Sequence, residues 1–179
     1  MRIDIYKREF LKKLTAATAL LPATSIVWAQ QKFSKNPFSL GVASGSATHD
    51  SVVLWTRLYD QGVFGSNIPN EMIPVKWEIS RDESFTQIVQ DGVSQATPEL
   101  AHSVHVELSG LPNNQWFFYR FKVGEFTSSI GKTRTFAISG SSSQTLKIAF
   151  ASCQHYELGY FNSYPHLVAE KPDLLLFLG

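Results

Sequence analysis

Cys153 is the residue whose type and position in this chain most directly suggest a catalytic or metal-binding role. It is the single cysteine, it follows an apolar run, and it opens a Gln-His-Tyr loop at residues 154–156. A thiolate at the end of a strand can act as a nucleophile or bind a metal ion. A lone cysteine is also commonly a small buried apolar residue. The residue alone leaves these three interpretations open.

The histidines add no local motif to this cysteine. His155 is expected to be an exposed loop residue, and His49 shares no motif with it. His102, His105 and His166 lack the spacing of a shared metal site, so structural roles are expected for them. A thiol redox function is disfavoured because no second cysteine is present.

Two apolar segments place Cys153 in a strand–helix–strand unit. Residues 146–154 and residues 173–179 each predict a buried strand, and one helix-sized segment separates them. In such a unit the parallel strands end at the same edge of the sheet, where ligands bind. Cys153 and Gly179 both lie at these ends, so the sequence predicts the start of a site there.

The middle of the chain, residues 38–138, predicts short β-strands. Period-two alternation and β-branched or aromatic enrichment mark roughly seven strands with no convincing helix, which favours a β-sandwich. The chain is therefore predicted to be mainly β, with a fibronectin III- or immunoglobulin-like sandwich. The strongest strand segments are residues 51–58, 74–80, 102–108, 115–123 and 131–138, and turn signals such as Asp91-Gly92 fall between them.

Two details bear on this sandwich. Residues 111–117 resemble the corner of fibronectin III domains, where a leucine, a proline and a tyrosine fix the turn, but Phe117 stands at the tyrosine place and has no hydroxyl. Trp55, Trp77 and the aromatic strand at residues 115–123 could form a carbohydrate platform. The alternation favours a place in the sandwich core for these aromatic residues.

The N-terminal residues 1–29 predict a signal peptide. Lys7 and Arg8 precede an apolar run, and Ala29 is a small residue before a cleavage point at Gln30. Residues 7–12 resemble the twin-arginine export motif, with lysine in place of the first arginine. The protein is therefore expected to be exported, periplasmic or secreted, with no membrane span after cleavage.

Composition and linkers set the remaining limits. Hydrophobic residues make up 44% and charged residues 17%, which is typical of a globular chain, and the net charge of +1 gives no tendency toward nucleic acid. Residues 139–145 predict a flexible polar linker. The predicted organisation is a signal peptide at 1–29, a sandwich at 38–138, this linker, and the beginning of a second domain at 146–179.

Several segments together resemble the alkaline phosphatase D family, in register from about residue 38 to residue 179. The segments that carry the resemblance are residues 38–45, 50–58, 75–78, 102–106, 116–121, 131–135, 150–154, 159–161 and 173–179.

This resemblance implies an exported enzyme that hydrolyses phosphomonoesters and phosphodiesters with iron(III) and calcium. It implies a sandwich followed by a metallophosphatase domain with a calcineurin-like αββα core, of which residues 146–179 are the truncated start. Cys153 matches the iron ligand of the family. Gly179 matches the glycine of a Gly-Asp-Tyr-Ile-Tyr-Glu motif, whose aspartate bridges the metals and whose first tyrosine binds iron.

Two functions remain in view. In the first, the chain is the N-terminal fragment of this phosphohydrolase, with a phosphate-ester substrate and the twin-arginine or general export machinery as partners. It is expected to be inactive alone because the bridging aspartate and later ligands would follow Gly179. The alternative is a secreted β-sandwich binding module without catalytic activity. The strand–helix–strand segment favours the first, since a binding module has no need of a short parallel pair with an exposed edge.

Overall fold

Short strands with alternating burial build the fold in this computed structural model, which describes residues 33–62, 65–66, 68–141, 145–155 and 157–179. The signal peptide predicted at residues 1–29 lies outside the described residues, as do residues 142–144 of the predicted linker. The strands are β1 (Val42–Gly45), β2 (Val52–Arg57), β3 (Gln61–Gly62), β4 (Gly65–Ser66), β5 (Ile73–Ser80), β6 (Ile88–Ala96), β7 (Ser103–Leu108), β8 (Trp116–Val123), β9 (Phe126–Thr127), β10 (Gly131–Arg134), β11 (Ile148–Ala151) and β12 (Leu174–Phe177). A 3₁₀ turn spans Pro98–Leu100, and the helix α1 spans Ser163–Ala169.

Two antiparallel sheets form the larger part of the structure. One has the strand order β1-β2-β7, and the other has the order β10-β8-β5-β6, with β9 paired to β8. Strands β3 and β4 pair with each other in antiparallel orientation. The fold prediction of a mainly β chain with a sandwich of this kind is confirmed.

The core lies between the two sheets because alternate residues of each strand point inward. In β7, Val104, Val106 and Leu108 are buried while His105 and Glu107 are exposed, as the period-two pattern predicts. The other sheet contributes a buried aromatic cluster from β8. Its members are Phe117, Tyr119 and Phe121.

Tyr119 joins the two sheets through its hydroxyl group. Burial raises the pKa of Tyr119 to about 12, and a hydrogen bond with Ser44 of β1 acts in the opposite direction. Its ring lies at the position that a side chain on Gly131 would take: a Cβ there would be 2.2 Å from the nearest ring carbon. The strand pairing places Gly131 directly opposite Tyr119.

The prediction of a turn at Asp91-Gly92 is wrong. Both residues lie inside β6, which pairs with β5 from Ile73 to Ser80. Gly92 is opposite Trp77, and a Cβ on Gly92 would be 2.6 Å from the indole ring. The glycine therefore makes room for an aromatic neighbour across the sheet and does not mark a turn.

The strand predicted at residues 131–138 ends early, at Arg134. Beyond it, Phe136 N–H donates to the Thr48 carbonyl at 2.7 Å, and Asn114 N–H donates to the Phe136 carbonyl at 2.9 Å. The chain thus leaves the β8 ladder to bond with two loops.

The corner at residues 111–117 receives a hydroxyl group from Thr135, the residue that follows β10. Thr135 Oγ1 donates to the Pro112 carbonyl at 2.7 Å and accepts from Gln115 N–H at 3.2 Å. Leu111 and Phe117 are buried below this turn. Thr135 therefore satisfies backbone groups that a tyrosine hydroxyl would otherwise help to satisfy.

We expect Thr135→Val to lower the free energy of unfolding by about 1–3 kcal/mol, because a methyl group leaves the Pro112 carbonyl and Gln115 N–H without this partner in a fully buried position. Urea unfolding followed by tryptophan fluorescence measures the change. Thr127→Val, at an exposed position of β9, is the matched control and should stay within about 0.5 kcal/mol of the wild type. Equal effects of the two substitutions would contradict the role of Thr135.

The outward side of β8 carries aromatic and charged residues, so the aromatic strand is only half in the core. Trp116 is 37% exposed, and Lys132 Nζ lies 4.4 Å from the centroid of its ring. Farther along, Glu78 bonds Arg120 Nε and Lys122 Nζ, each at 2.7 Å. Partial burial raises the pKa of Glu78, but the hydrogen bonds from Lys122 and Arg120 outweigh it and hold the pKa below its usual value.

Candidate functional site

The parallel pair β11–β12 forms as the sequence predicts. Ile148 pairs with Leu174 and Ala151 with Phe177, and α1 lies between the two strands in the chain. Both strands are shorter than the predicted segments at residues 146–154 and 173–179. Their predicted burial is wrong, since Phe150 is 70% and Phe177 is 64% exposed. A parallel sheet needs cover on both faces, and the described residues supply one short helix.

Cys153 lies two residues beyond β11 and meets the end of β12. Its backbone N–H donates to the Gly179 carbonyl, and Leu178 N–H donates to the Ala151 carbonyl at 2.9 Å. The predicted meeting of Cys153 and Gly179 is therefore observed. The Cys153 side chain is exposed, so the interpretation as a small buried apolar residue is wrong.

The backbone of Cys153 has a left-handed conformation, with φ of 55°. A residue with a Cβ adopts this region at an energetic cost, and such residues cluster at functional sites. An open cavity of about 740 Å³ lies beside this turn. Residues that line it include Ser152, Cys153, Gln154, His155, Tyr160 and Asn162.

Three aromatic rings support the loop that follows Cys153. Phe161 and Tyr164 stack with ring centroids 5.9 Å apart, and Tyr164 meets Phe177 edge-on at 6.2 Å. The Tyr164 hydroxyl also donates to the Gln154 side-chain carbonyl. Sequence reasoning missed this support, although the spacing of three between Phe161 and Tyr164 is a signal for contact near a helix start.

His155 lies in an exposed loop, as the sequence predicts, and His102 lies in the sandwich. His155 is exposed, and its Nδ1 accepts a hydrogen bond from Glu157 N–H at 3.2 Å. His102 is buried, with Nδ1 3.4 Å from the Ala96 carbonyl. Neither residue joins Cys153 in a set of ligands.

The donor set around Cys153 fits one metal ligand and not a complete site. Among the residues that the structure describes, no three histidine, cysteine or acidic side chains are grouped to hold an ion. Catalytic metal sites typically use three or more protein ligands. A single exposed thiol at the junction of two strand ends can contribute one anionic donor.

The described part of the chain also has no helix that is long and apolar enough to cross a membrane.

The fold and the site together define a β-sandwich followed by a parallel strand pair with a thiol at its carboxyl end. Comparison with known proteins identifies the family that has this arrangement. The N-terminal domain of PhoD-like phosphatases matches residues 22–137. The chain therefore belongs to the PhoD-like phosphatase family.

Two relatives extend this match past the sandwich. Alkaline phosphatase D of Bacillus subtilis is 50% identical over 151 residues, which is 84% of this chain and 26% of that protein. A solved structure of PhoD is also 50% identical and superposes with a TM-score of 0.79, covering 83% of this chain and 28% of that one. The chain thus spans about a quarter of the length of the relatives it matches.

Proposed function

We propose that this chain forms the sandwich and the first strands of the catalytic domain of an exported, metal-dependent phosphatase or phosphodiesterase. The observation that carries the proposal is the 50% identity to alkaline phosphatase D over 151 residues. That length exceeds the 138 residues that precede the predicted linker, so the similarity includes part of the segment with β11, Cys153 and β12. The catalytic domain is proposed to have the calcineurin-like αββα core of this family.

Cys153 is proposed as a ligand of iron(III), with calcium as the second metal. Iron(III) is a hard cation that favours anionic ligands, and the exposed thiol of Cys153 can supply one as a thiolate. A metal pair polarises the phosphoryl oxygen and provides a hydroxide nucleophile. The role proposed for this chain is to hold the Cys153 sulfur in place. The hydrogen bond from Cys153 N–H to the Gly179 carbonyl fixes the turn that carries it.

The exposed apolar residues of the parallel unit support a place inside a larger domain. They are Ile148, Phe150, Leu176, Phe177 and Leu178, each more than 40% exposed. Phe150 and Leu176 are neighbours across the two strands, and exposed apolar patches mark interaction surfaces. In the proposal, these residues pack against the remaining strands of the metallophosphatase domain.

The 179-residue chain is expected to hydrolyse no aryl phosphate above background, because one thiolate cannot hold two metals. A chimera tests this: residues 1–179 are joined to the part of Bacillus subtilis alkaline phosphatase D that follows the matched segment. With iron and calcium supplied, the chimera should hydrolyse p-nitrophenyl phosphate.

The downstream part of the relative expressed alone is the matched control, and it should be inactive since it lacks Cys153 and β11. Clear turnover by the purified 179-residue chain would refute the proposal that this chain holds only part of the catalytic site. A folded, metal-loaded chimera without activity would argue for the binding-module alternative.

Export is the second part of the proposal, and the observations for it are the Lys7-Arg8 flank, the apolar run and Ala29. The mature protein is expected to begin near Gln30 and to be found outside the cytoplasm, carried by the twin-arginine machinery. N-terminal sequencing of the protein from a periplasmic or culture fraction checks this. Replacing Arg8 by Gln should hold the protein in the cytosol, and an intact Met1 in the exported protein would contradict cleavage.

A further inference from the structure

One carboxylate connects the sandwich to the parallel strand pair. Asp173 Oδ1 accepts from Arg134 Nη1 at 2.9 Å, and Asp173 Oδ2 accepts from Lys147 N–H at 3.0 Å. The backbone N–H of Asp173 donates in turn to the Lys147 carbonyl at 2.8 Å. Asp173 and Lys147 directly precede β12 and β11, so this carboxylate lies at the amino ends of both strands.

Arg134 is itself held at the end of β10. Its Nη2 donates to Asn114 Oδ1 at 2.8 Å, and its guanidinium lies 5.4 Å from the centroid of the Trp116 ring. The side chains of Arg134 and Asp173 are only 17% and 21% exposed. Water therefore screens this pair less than it screens a surface salt bridge, and the guanidinium donates hydrogen bonds to two side chains, Asp173 and Asn114, at once.

The strand pair needs such a contact, because an isolated two-stranded sheet is marginally stable in water. Residues 33–179 form one compact unit, and the Arg134–Asp173 pair is a direct polar link between the sandwich and the strand pair within it. The opposite ends of the same strands carry Cys153 and Gly179, each six residues further along the chain, which is at most about 20 Å at the rise of a β-strand.

We propose that Arg134 is a positioning residue: through Asp173 it fixes β11 and β12 against the sandwich and thereby sets the position of the Cys153 turn. The sandwich domain would then act on the site without touching it. The inference rests on the proposed function only in treating Cys153 as a site residue. Its test uses neither metal nor substrate, so it fails or succeeds separately from the phosphatase assignment.

Hydrogen–deuterium exchange on the 179-residue chain measures the effect at the far end of the strands. Arg134→Gln should raise the exchange rates of the Cys153 and Leu178 amides about 5- to 30-fold, the change in the open population that loss of one partly buried ion pair produces. Amides of β7, on the other sheet, should change less than about twofold. A general loss of stability would raise both sets together.

A matched control is Arg120→Gln, which breaks an ion pair of similar exposure inside the sandwich. It should leave the Cys153 amide unchanged. Asp173→Asn removes the negative charge from the other partner of the ion pair, which lies outside the sandwich, and keeps an oxygen that accepts from Lys147 N–H. It should raise the exchange rate of the Cys153 amide as much as Arg134→Gln does. The double variant should match the single ones, since each breaks the same pair.

Arg134→Lys keeps the charge without the second prong to Asn114 and should give an intermediate rate. The inference is overturned if Arg134→Gln and Asp173→Asn leave the Cys153 and Leu178 amides within twofold of the wild type. Additive effects of the two substitutions, or a Cys153 change with Arg120→Gln of the same size, would overturn it too.

Discussion

Cys153→Ser in the active chimera is expected to reduce bound iron after dialysis and to lower kcat/KM at least about 100-fold. Groups that merely support a metal ligand already cost 10–100-fold when changed, so loss of a direct ligand should cost more. A serine hydroxyl is neutral at pH 7 and cannot replace the negative charge of a thiolate on iron(III). Metal analysis and aryl phosphate hydrolysis are measured on the same preparation.

Two further variants separate charge from geometry at this position. Cys153→Asp supplies an anionic oxygen ligand and should retain more iron than Cys153→Ser. Ser152→Ala changes the exposed neighbour in the same loop and should leave iron content and rate unchanged. If Cys153→Ser keeps its iron and its rate, Cys153 is not a ligand.

The sandwich strands could be predicted because the alternation of apolar and polar residues along a strand indicates which side chains are buried. In β2, β7 and β8, every second residue is buried and packs between the sheets. The fold class followed from these strands and from the turn signals between them.

Strand β6 could not be predicted in the same way. Its Asp91-Gly92 pair has the composition of a turn, and the reason for the glycine lies in Trp77, fifteen positions earlier in the chain. Only the register between β5 and β6 brings the two together. A residue that is chosen by its neighbour across a sheet carries no local signal of that choice.

In the candidate site, too, some features could be predicted from local sequence and others could not. The meeting of Cys153 with Gly179 follows from the geometry of a strand–helix–strand unit and was predicted. The Arg134–Asp173 pair was not, because it joins residues from two regions that the sequence treats separately. The exposure of Phe150 and Phe177 was also missed, since an apolar run predicts burial without saying what supplies the cover.

The largest effect on stability is expected at Gly131. Gly131→Ala places a Cβ 2.2 Å from a ring carbon of Tyr119, and no real Cβ makes a contact this short. Tyr119 is 2% exposed and bonded to Ser44, so its ring has no room to move aside. We expect the free energy of unfolding to fall by about 3 kcal/mol, near the upper end for overpacked cores. Urea unfolding monitored by tryptophan fluorescence measures it.

Two other glycines calibrate this effect. Gly45→Ala, in β1 with open space around its Cβ position, should be neutral or slightly stabilising, because alanine restricts the unfolded chain more than glycine does. Gly92→Ala should lie between the two, at about 1 kcal/mol, since the half-buried indole of Trp77 can move toward solvent.

Substitutions of Tyr119 test whether the clash with its ring causes the destabilisation by Gly131→Ala. Tyr119→Phe keeps the ring carbons that the added methyl group would meet, so the cost of Gly131→Ala should persist in that background. Tyr119→Leu removes those carbons, and there the same substitution should cost less than about 1 kcal/mol. A cost of Gly131→Ala that is the same in both backgrounds would show that Gly131 is required for its backbone and not for the space it leaves to Tyr119.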